Sequence, residues 1–215
     1  MSEPVVLVGM SGNAIEIFEA ASRQFRICAI LDDAPAHAGR TFEGVPIRPL
    51  SALGDYPDAG VACLIGSERS HRMRRDLIAR LNVPRERFVT IVDPAARVSR
   101  FARIGRGTVV YAGVTITSNA VIGDHVLILP HTIVHHDVVI GDHAIVGSNV
   151  TLAGSVHIGD SAFVGSASSV RNGVTIGEGA LVGMGANVTR DVADGTIVAG
   201  NPARPMVRAG GEGAG

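Results

Sequence analysis

Residues 121–150 read VIGDHVLILPHTIVHHDVVIGDHAIVGSNV, and five aliphatics in that stretch stand six apart: Ile122, Ile128, Val134, Ile140 and Val146. The spacing continues without a gap from Val98 to Val188, sixteen positions in all. A second column lies four residues after each anchor, from Ala102 to Val192, and holds only Ala, Val, Thr and Ser. A helix repeats every 3.6 residues and a strand alternates at 2, so neither accounts for a strict six. Gly follows many anchors (Gly105, Gly123, Gly141, Gly159, Gly177). The pattern is that of a hexapeptide solenoid.

Each hexad supplies one short strand and a turn, and three hexads close a triangular coil. The large aliphatic points inward and stacks on the residue eighteen positions along. The small residue of the second column fits the corner, and Gly supplies turn dihedrals that other residues resist. Neighbouring coils pair as parallel strands about 4.8 Å apart. Residues 98–193 make sixteen hexads, with no long loop leaving them.

The repeat occupies the C-terminal half and leaves a first half of a different kind. Pro4–Gly9 reads as a buried parallel strand. A Gly turn follows, then an amphipathic helix over Asn13–Gln24 and a second strand, Ile27–Leu31, ending in Asp32 and Asp33. Strand, Gly turn, helix, strand and acid make a nucleotide-binding βαβ unit. Val61–Ile65 reads as a further strand, Gly66 and Ser67 open a helix over Arg69–Leu81, and Phe88–Val92 is the last strand of the sheet. The ligand crevice belongs at the carboxyl ends of the strands, where Gly9–Asn13, Asp32, Asp33 and Gly66 converge. Asp33 suits a ribose or a base there, or caps the turn before Ala34 and Pro35. The expected fold class is an α/β N-terminal Rossmann-like domain, residues 1–95, followed by a left-handed parallel β-helix of hexapeptide repeats, residues 96–208. Residues 209–215 read as a disordered tail.

Composition narrows the partners. Net charge is −1 and the pI is about 6.7, so nucleic acid is not an expected partner. The chain contains 19 Arg and no Lys, a bias read as genomic. No apolar stretch reaches membrane-span length and the N-terminus lacks a signal-peptide layout, so no membrane partner and a cytoplasmic location are expected. Cys28 and Cys63 lie in apolar runs and read as free core thiols.

Six of the eight histidines lie between 125 and 157. His136 is followed by Asp137, and a carboxylate beside an imidazole can fix its tautomer and support the imidazolium, as a general base requires. His125 and His143 are equivalent positions one coil apart and read as a stack on the exposed face. His37, His71 and His157 read as surface residues.

Six stretches stand in order along the chain: VLVGMSGNA, ILDDAPAHAGRTFEGVPI, IGSERSHRMRR, IVDPAARVS, IVHHDVVIGD and IVAGNPARPM. In them, over residues 4–206, the chain resembles the bacterial sialic acid O-acetyltransferase and nucleotide-amino-sugar N-acetyltransferase group, left-handed β-helix enzymes that use acetyl-CoA. The resemblance implies His136 as catalytic base and Asp137 as the acid behind it. It implies a nucleotide-sugar pocket from Ser11, Gly12, Asn13, Asp32, Asp33 and Gly66. It places Ile145, Ser166 and Met184 where the family contacts acetyl-CoA, with no metal. It also implies a homotrimer with active sites between subunits. Three positions differ from the family pattern: Asn13 and Ile145 stand where His is usual, and Leu129 where Asn is.

The activity expected is acetyl transfer from acetyl-CoA to the amino group of a nucleotide-linked sugar, directly and without a covalent enzyme intermediate. Transfer to a sugar hydroxyl is the close alternative. A non-catalytic nucleotide-sugar-binding scaffold would not need the His136–Asp137 pair. Some β-helix trimers are zinc carbonic anhydrases, with two histidines five apart and a third two coils earlier. His131 and His136 are five apart, but the positions for the third ligand hold Ala95 and Arg100, so the ligand count fails.

Overall fold

In a computed structural model, which describes residues 2–206, the hexads form three parallel sheets wound around one core. The first face stacks Val109–Val110, Leu127–Ile128, Ile145–Val146, Phe163–Val164 and Leu181–Val182. The second stacks Arg97–Val98, Thr115–Ile116, Ile133–Val134, Thr151–Leu152, Ser169–Val170 and Asn187–Val188. The third runs from Arg103–Ile104 through Val121–Ile122, Val139–Ile140 and His157–Ile158 to Thr175–Ile176. Every one of these pairings joins residues eighteen apart, as the sequence demands.

Fourteen of the sixteen anchors are buried, and so is the second column from Thr108 onward. Val98 is exposed and Ile104 half-buried, because no coil lies beneath those two faces. The corners impose a backbone requirement. Asn119, His125, His131, Asp137, His143 and Asn149 all have φ between 56° and 62°. Asn, Asp and His tolerate this left-handed region better than other side chains, which explains part of the histidine cluster. The last coil departs from the sixfold reading. Ile176 bridges Val192 and Val182 pairs Val198, sixteen residues on instead of eighteen. Val192 therefore packs above Ile176 rather than at a corner.

The N-terminal sheet comprises β1 (Pro4–Val8), β2 (Arg26–Leu31), β3 (Thr41–Phe42), β4 (Val45–Arg48) and β5 (Gly60–Cys63). Its order is β3-β4-β2-β1-β5, parallel except for the β3/β4 hairpin. Helix α1 (Gly12–Gln24) links β1 to β2 and buries Ala14, Ile17, Ala20 and Ala21. Helix α2 is shorter than expected. Residues 71–73 form a 3₁₀ turn and the α-helix proper covers Arg74–Arg80. Phe88–Val92 is not one strand of this sheet. Phe88 bridges Val61, while Ile91–Val92 pairs Val109–Val110 and begins the first face of the β-helix. The solenoid thus starts at Ile91, ahead of residue 96. The proposed tail, residues 209–215, lies outside the described residues, as do 207 and 208.

The sheet and α1 pack onto the first face of the β-helix, where Leu7, Ala14, Leu64, Val109, Tyr111, Leu127 and Ile145 share one core. Polar ties cross the same boundary. Arg75 reaches Asp160 and Glu178, and Arg85 reaches Asp124. These acids lie on the corner between the third and first faces. Arg74 is fully buried and donates to three carbonyls, of Cys63, Ile65 and His125, so its charge is solvated by backbone. Among the described residues no helix is long and apolar enough to cross a membrane.

Candidate active site

His136 sits on the corner between the second and third faces, the edge opposite the N-terminal sheet. Its Nδ1 lies 2.8 Å from Asp137 Oδ2. The other carboxylate oxygen, Oδ1, accepts from Asn119 Nδ2 at 3.0 Å. The hydrogen bonds from His136 and Asn119 hold the Asp137 carboxyl below its usual value. An ionised Asp137 keeps the proton on Nδ1 and leaves Nε2 as the free acceptor. The pair is open to solvent, with side-chain exposures of 55% and 50%.

One coil above, the residue equivalent to His136 is Gly154. A Cβ there would stand 2.5 Å from His136 Cε1 and 2.6 Å from Nε2. Glycine is what lets the imidazole lie flat along the corner. The Gly154 N–H makes no hydrogen bond among the described residues. Asn172 continues the column, its Nδ2 3.1 Å from the same Cβ position. Neither Asn119 nor Gly154 was singled out from the sequence. Both could have been found by stepping eighteen residues from Asp137 and His136.

The Gly turn is organised largely by the protein itself. Gly9 has φ 99°, and a Cβ there would stand 2.4 Å from Ile65 Cγ1, so the tight turn needs this glycine. Asp32 accepts from Met10 N at 2.7 Å and Ala34 N at 2.8 Å. Burial opposes its ionisation, but those amides and nearby His37 outweigh burial and keep the carboxyl low. Asp33 accepts from Leu50 N at 2.8 Å, so it holds a distant loop rather than the turn before Ala34, whose amide goes to Asp32. It also lines a groove of about 610 Å³ with Leu50, Leu77, Arg80 and Arg87. Asn13 Nδ2 donates to the carbonyls of Leu64 and Gly66, and Tyr111 Oη donates to Asn13 O at 3.0 Å. Gly66 packs on the β-helix, where a Cβ would meet Ile145 Cδ1 at 2.8 Å. Two groups of the set remain unengaged. Among the described residues the buried Ser11 hydroxyl finds no partner, and Gly12 is exposed with nothing within 4 Å of a Cβ placed on it.

The positions expected to contact acetyl-CoA divide. Met184 is 72% exposed, and Ser166, whose Oγ accepts from Ser148 N, lies on the same corner, between the first and second faces. Ile145 is 1% exposed in the core between sheet and β-helix, so its expected contact with acetyl-CoA is corrected. Its side chain points outward from the first face, which the N-terminal sheet covers. Leu129 packs against that same core.

The histidines also need correcting. His125 and His143 do stack, 5.1 Å apart and nearly parallel, but under Phe88 and beside Arg74 rather than on an exposed face. Burial, His143 and Arg74 push His125 down to about 4. His71 is buried, its Nδ1 2.7 Å from Glu68 O. Among the described residues no three His, Cys, Asp or Glu side chains gather as a metal site would require.

Two family models match the repeat: "Bacterial transferase hexapeptide (six repeats)" over residues 119–154 and "Hexapeptide repeat of succinyl-transferase" over 155–190. A variant of perosamine N-acetyltransferase from Caulobacter crescentus, solved with CoA and GDP-perosamine, is 31% identical, with a TM-score of 0.84. The match covers 95% of this chain and 97% of that one. The acetyltransferase domain of PglB from Neisseria gonorrhoeae, solved with acetyl coenzyme A, is 26% identical, also at 0.84, over 96% of this chain and all of that one. In sequence, UDP-N-acetylbacillosamine N-acetyltransferase from Bacillus subtilis is 34% identical over 117 residues, 50% of this chain and 51% of that protein. The chain thus spans about half the length of that curated relative.

Fold and repeat together define an acetyltransferase of the hexapeptide-repeat class, built on a left-handed β-helix. Within that class, the chain belongs to the family of hexapeptide-repeat sugar N-acetyltransferases.

Proposed function

We propose that this protein transfers the acetyl group of acetyl-CoA to the amino group of a nucleotide-linked sugar, with His136 as general base. The observation that carries this is the Asn119–Asp137–His136 line, which leaves His136 Nε2 free beside Gly154, whose N–H has no partner among the described residues. The amine attacks the thioester carbonyl as Nε2 takes its proton. Asp137 steadies the imidazolium, and Asn119 orients Asp137. In this reading the Gly154 N–H, which has no partner among the described residues, holds the oxyanion. Collapse breaks the C–S bond, and the proton passes from His136 to the departing thiolate. The products are an N-acetyl sugar nucleotide and CoA, with no covalent enzyme intermediate. Relatives solved with CoA and GDP-perosamine, or with acetyl coenzyme A, support both substrates.

The N-terminal sheet we read as a Rossmann-like nucleotide-binding domain, with Gly12 open to ligand and the buried Ser11 hydroxyl, which has no partner among the described residues, beside it. In one chain this loop and His136 lie on opposite sides of the β-helix. A complete site therefore needs the loop of a second copy, which a threefold closure of the β-helix faces supplies to every copy alike. The second face suits such a contact, being small and polar around Ile133, 39% exposed. Mass spectrometry of acetyl-CoA reactions with a panel of nucleotide amino sugars tests the activity; a panel without any N-acetylated product rejects it. Light scattering tests the trimer, and a monomer at micromolar concentration rejects that.

A further inference from the structure

The overall charge of −1 hides a local imbalance. From residue 94 to residue 123 the chain has no Asp or Glu, yet it carries Arg97, Arg100, Arg103 and Arg106. Arg106 reaches the Glu86 carbonyl. Among the described residues the side chains of Arg97, Arg100 and Arg103 form no salt bridge and no hydrogen bond, and all three are exposed. The guanidinium of Arg100 lies 4.7 Å from the centre of the Phe101 ring, itself 59% exposed. That contact holds the charge in place without neutralising it.

The register puts this cluster beneath the base. Val98 pairs with Ile116 and Ile116 with Val134, so Arg100, Ser118 and His136 follow one another on a single corner. Two coil spacings of about 4.8 Å put Arg100 roughly 10 Å from His136 along the axis. Arg97 flanks it on the second face and Arg103 on the third. The coil between presents Ser118 and Asn119, both polar. The corner above His136 runs through Gly154 and Asn172, beside Arg171, to Arg190.

We infer that Arg100, flanked by Arg97 and Arg103, receives the diphosphate of the acceptor while its amine lies at His136. This rests on the proposed function. An acceptor with a diphosphate at one end and an amine across its sugar ring needs cationic donors one sugar away from the base. Below the base the corner provides three such groups with no acid among them; above it stand only Arg171 and Arg190, the latter followed directly by Asp191. Guanidinium groups suit the task because they bind phosphate oxygens in bidentate fashion. The cluster is then a specificity element. It selects a nucleotide-linked sugar over the free amino sugar, and the N-terminal loop of a neighbouring copy holds the rest of the nucleotide.

The test is steady-state kinetics of wild type, Arg100→Ala, Arg100→Lys and the triple Arg97→Ala/Arg100→Ala/Arg103→Ala, with calorimetry of GDP and UDP binding. The KM for the nucleotide sugar should rise about tenfold or more in Arg100→Ala, as expected for a lost charge-assisted contact. It should rise further in the triple variant and less in Arg100→Lys. The KM for acetyl-CoA and the thermal midpoint should stay at wild-type values, since these side chains are exposed. Affinity for GDP or UDP should fall in parallel. An unchanged nucleotide-sugar KM in the triple variant overturns the inference, and so does a rise confined to acetyl-CoA. A wild type that acetylates no nucleotide sugar is a different result: it removes the functional reading itself, and this inference with it.

Discussion

Gly154→Ala perturbs the site through a single methyl group. Its Cβ would lie 2.5 and 2.6 Å from two ring atoms of His136, closer than any non-bonded contact allows. The backbone at Gly154 does not use the left-handed region, so alanine fits it without strain. The obstacle is the far end of an exposed side chain, which can swing away at little energetic cost. Stability should therefore change by no more than about 0.5–1 kcal/mol. Catalysis should not be spared. The ring must move by an ångström or more, and a misplacement of that size costs on the order of 10²-fold. The assay is release of free CoA thiol from acetyl-CoA with the best acceptor, together with a thermal melt. A drop in turnover with an unchanged melt is expected. The double variant Gly154→Ala/His136→Ala should be no slower than His136→Ala, because both changes act through one imidazole. Near-normal turnover in Gly154→Ala, or strict additivity in the double variant, would refute the reasoning.

Three further outcomes follow from the same geometry. Asp137→Asn should slow turnover less than His136→Ala, and Asn119→Ala less again, since each stands one hydrogen bond further from the reacting amine; a kinetic ranking in the reverse order counts against the line. Gly12→Val should weaken nucleotide-sugar binding and leave acetyl-CoA binding intact; nothing within 4 Å obstructs a Cβ there, so equal loss of both ligands by calorimetry would reject the assignment. The buried His125 makes stability depend on pH. Its folded value near 4 lies below the ordinary 6.5, so above about 6.5 both states are neutral and no penalty exists. As pH falls from 6.5 toward 4 the unfolded chain binds the proton first and stability drops. Melting points should decline across that window and decline less in His125→Asn, a residue that tolerates the same φ; identical pH profiles would contradict this.

The solenoid was legible because its physics repeats. One inward position in six must be aliphatic, and sixteen repetitions leave little room for another pattern. The His136–Asp137 hydrogen bond was legible because the two residues are adjacent in the chain. What the sequence hid lies across coils or between domains. Asn119 and Gly154 meet the pair only through the eighteen-residue register. Ile145, an acetyl-CoA contact by resemblance, lies on a face that the N-terminal sheet covers. His125 and His143 looked exposed, yet stack under Phe88 and beside Arg74. In the first half, Gly9 rather than Gly12 carries the strained turn, and Asp32 bonds its own loop. Short-range propensity could not separate Phe88 from Ile91, which serve different sheets three residues apart.

The measurement that bears most directly on the account is the turnover of His136→Ala beside His135→Ala, with acetyl-CoA and a nucleotide amino sugar. His136→Ala should fall by about 10²–10⁴-fold, the usual contribution of a positioned general base. Its acetyl-CoA affinity and melting point should match the wild type, because the side chain is more than half exposed and outside the stacked core. His135→Ala should remain close to the wild-type rate. Near-normal turnover in His136→Ala, or a greater loss in His135→Ala, would contradict the assignment of His136 as the base.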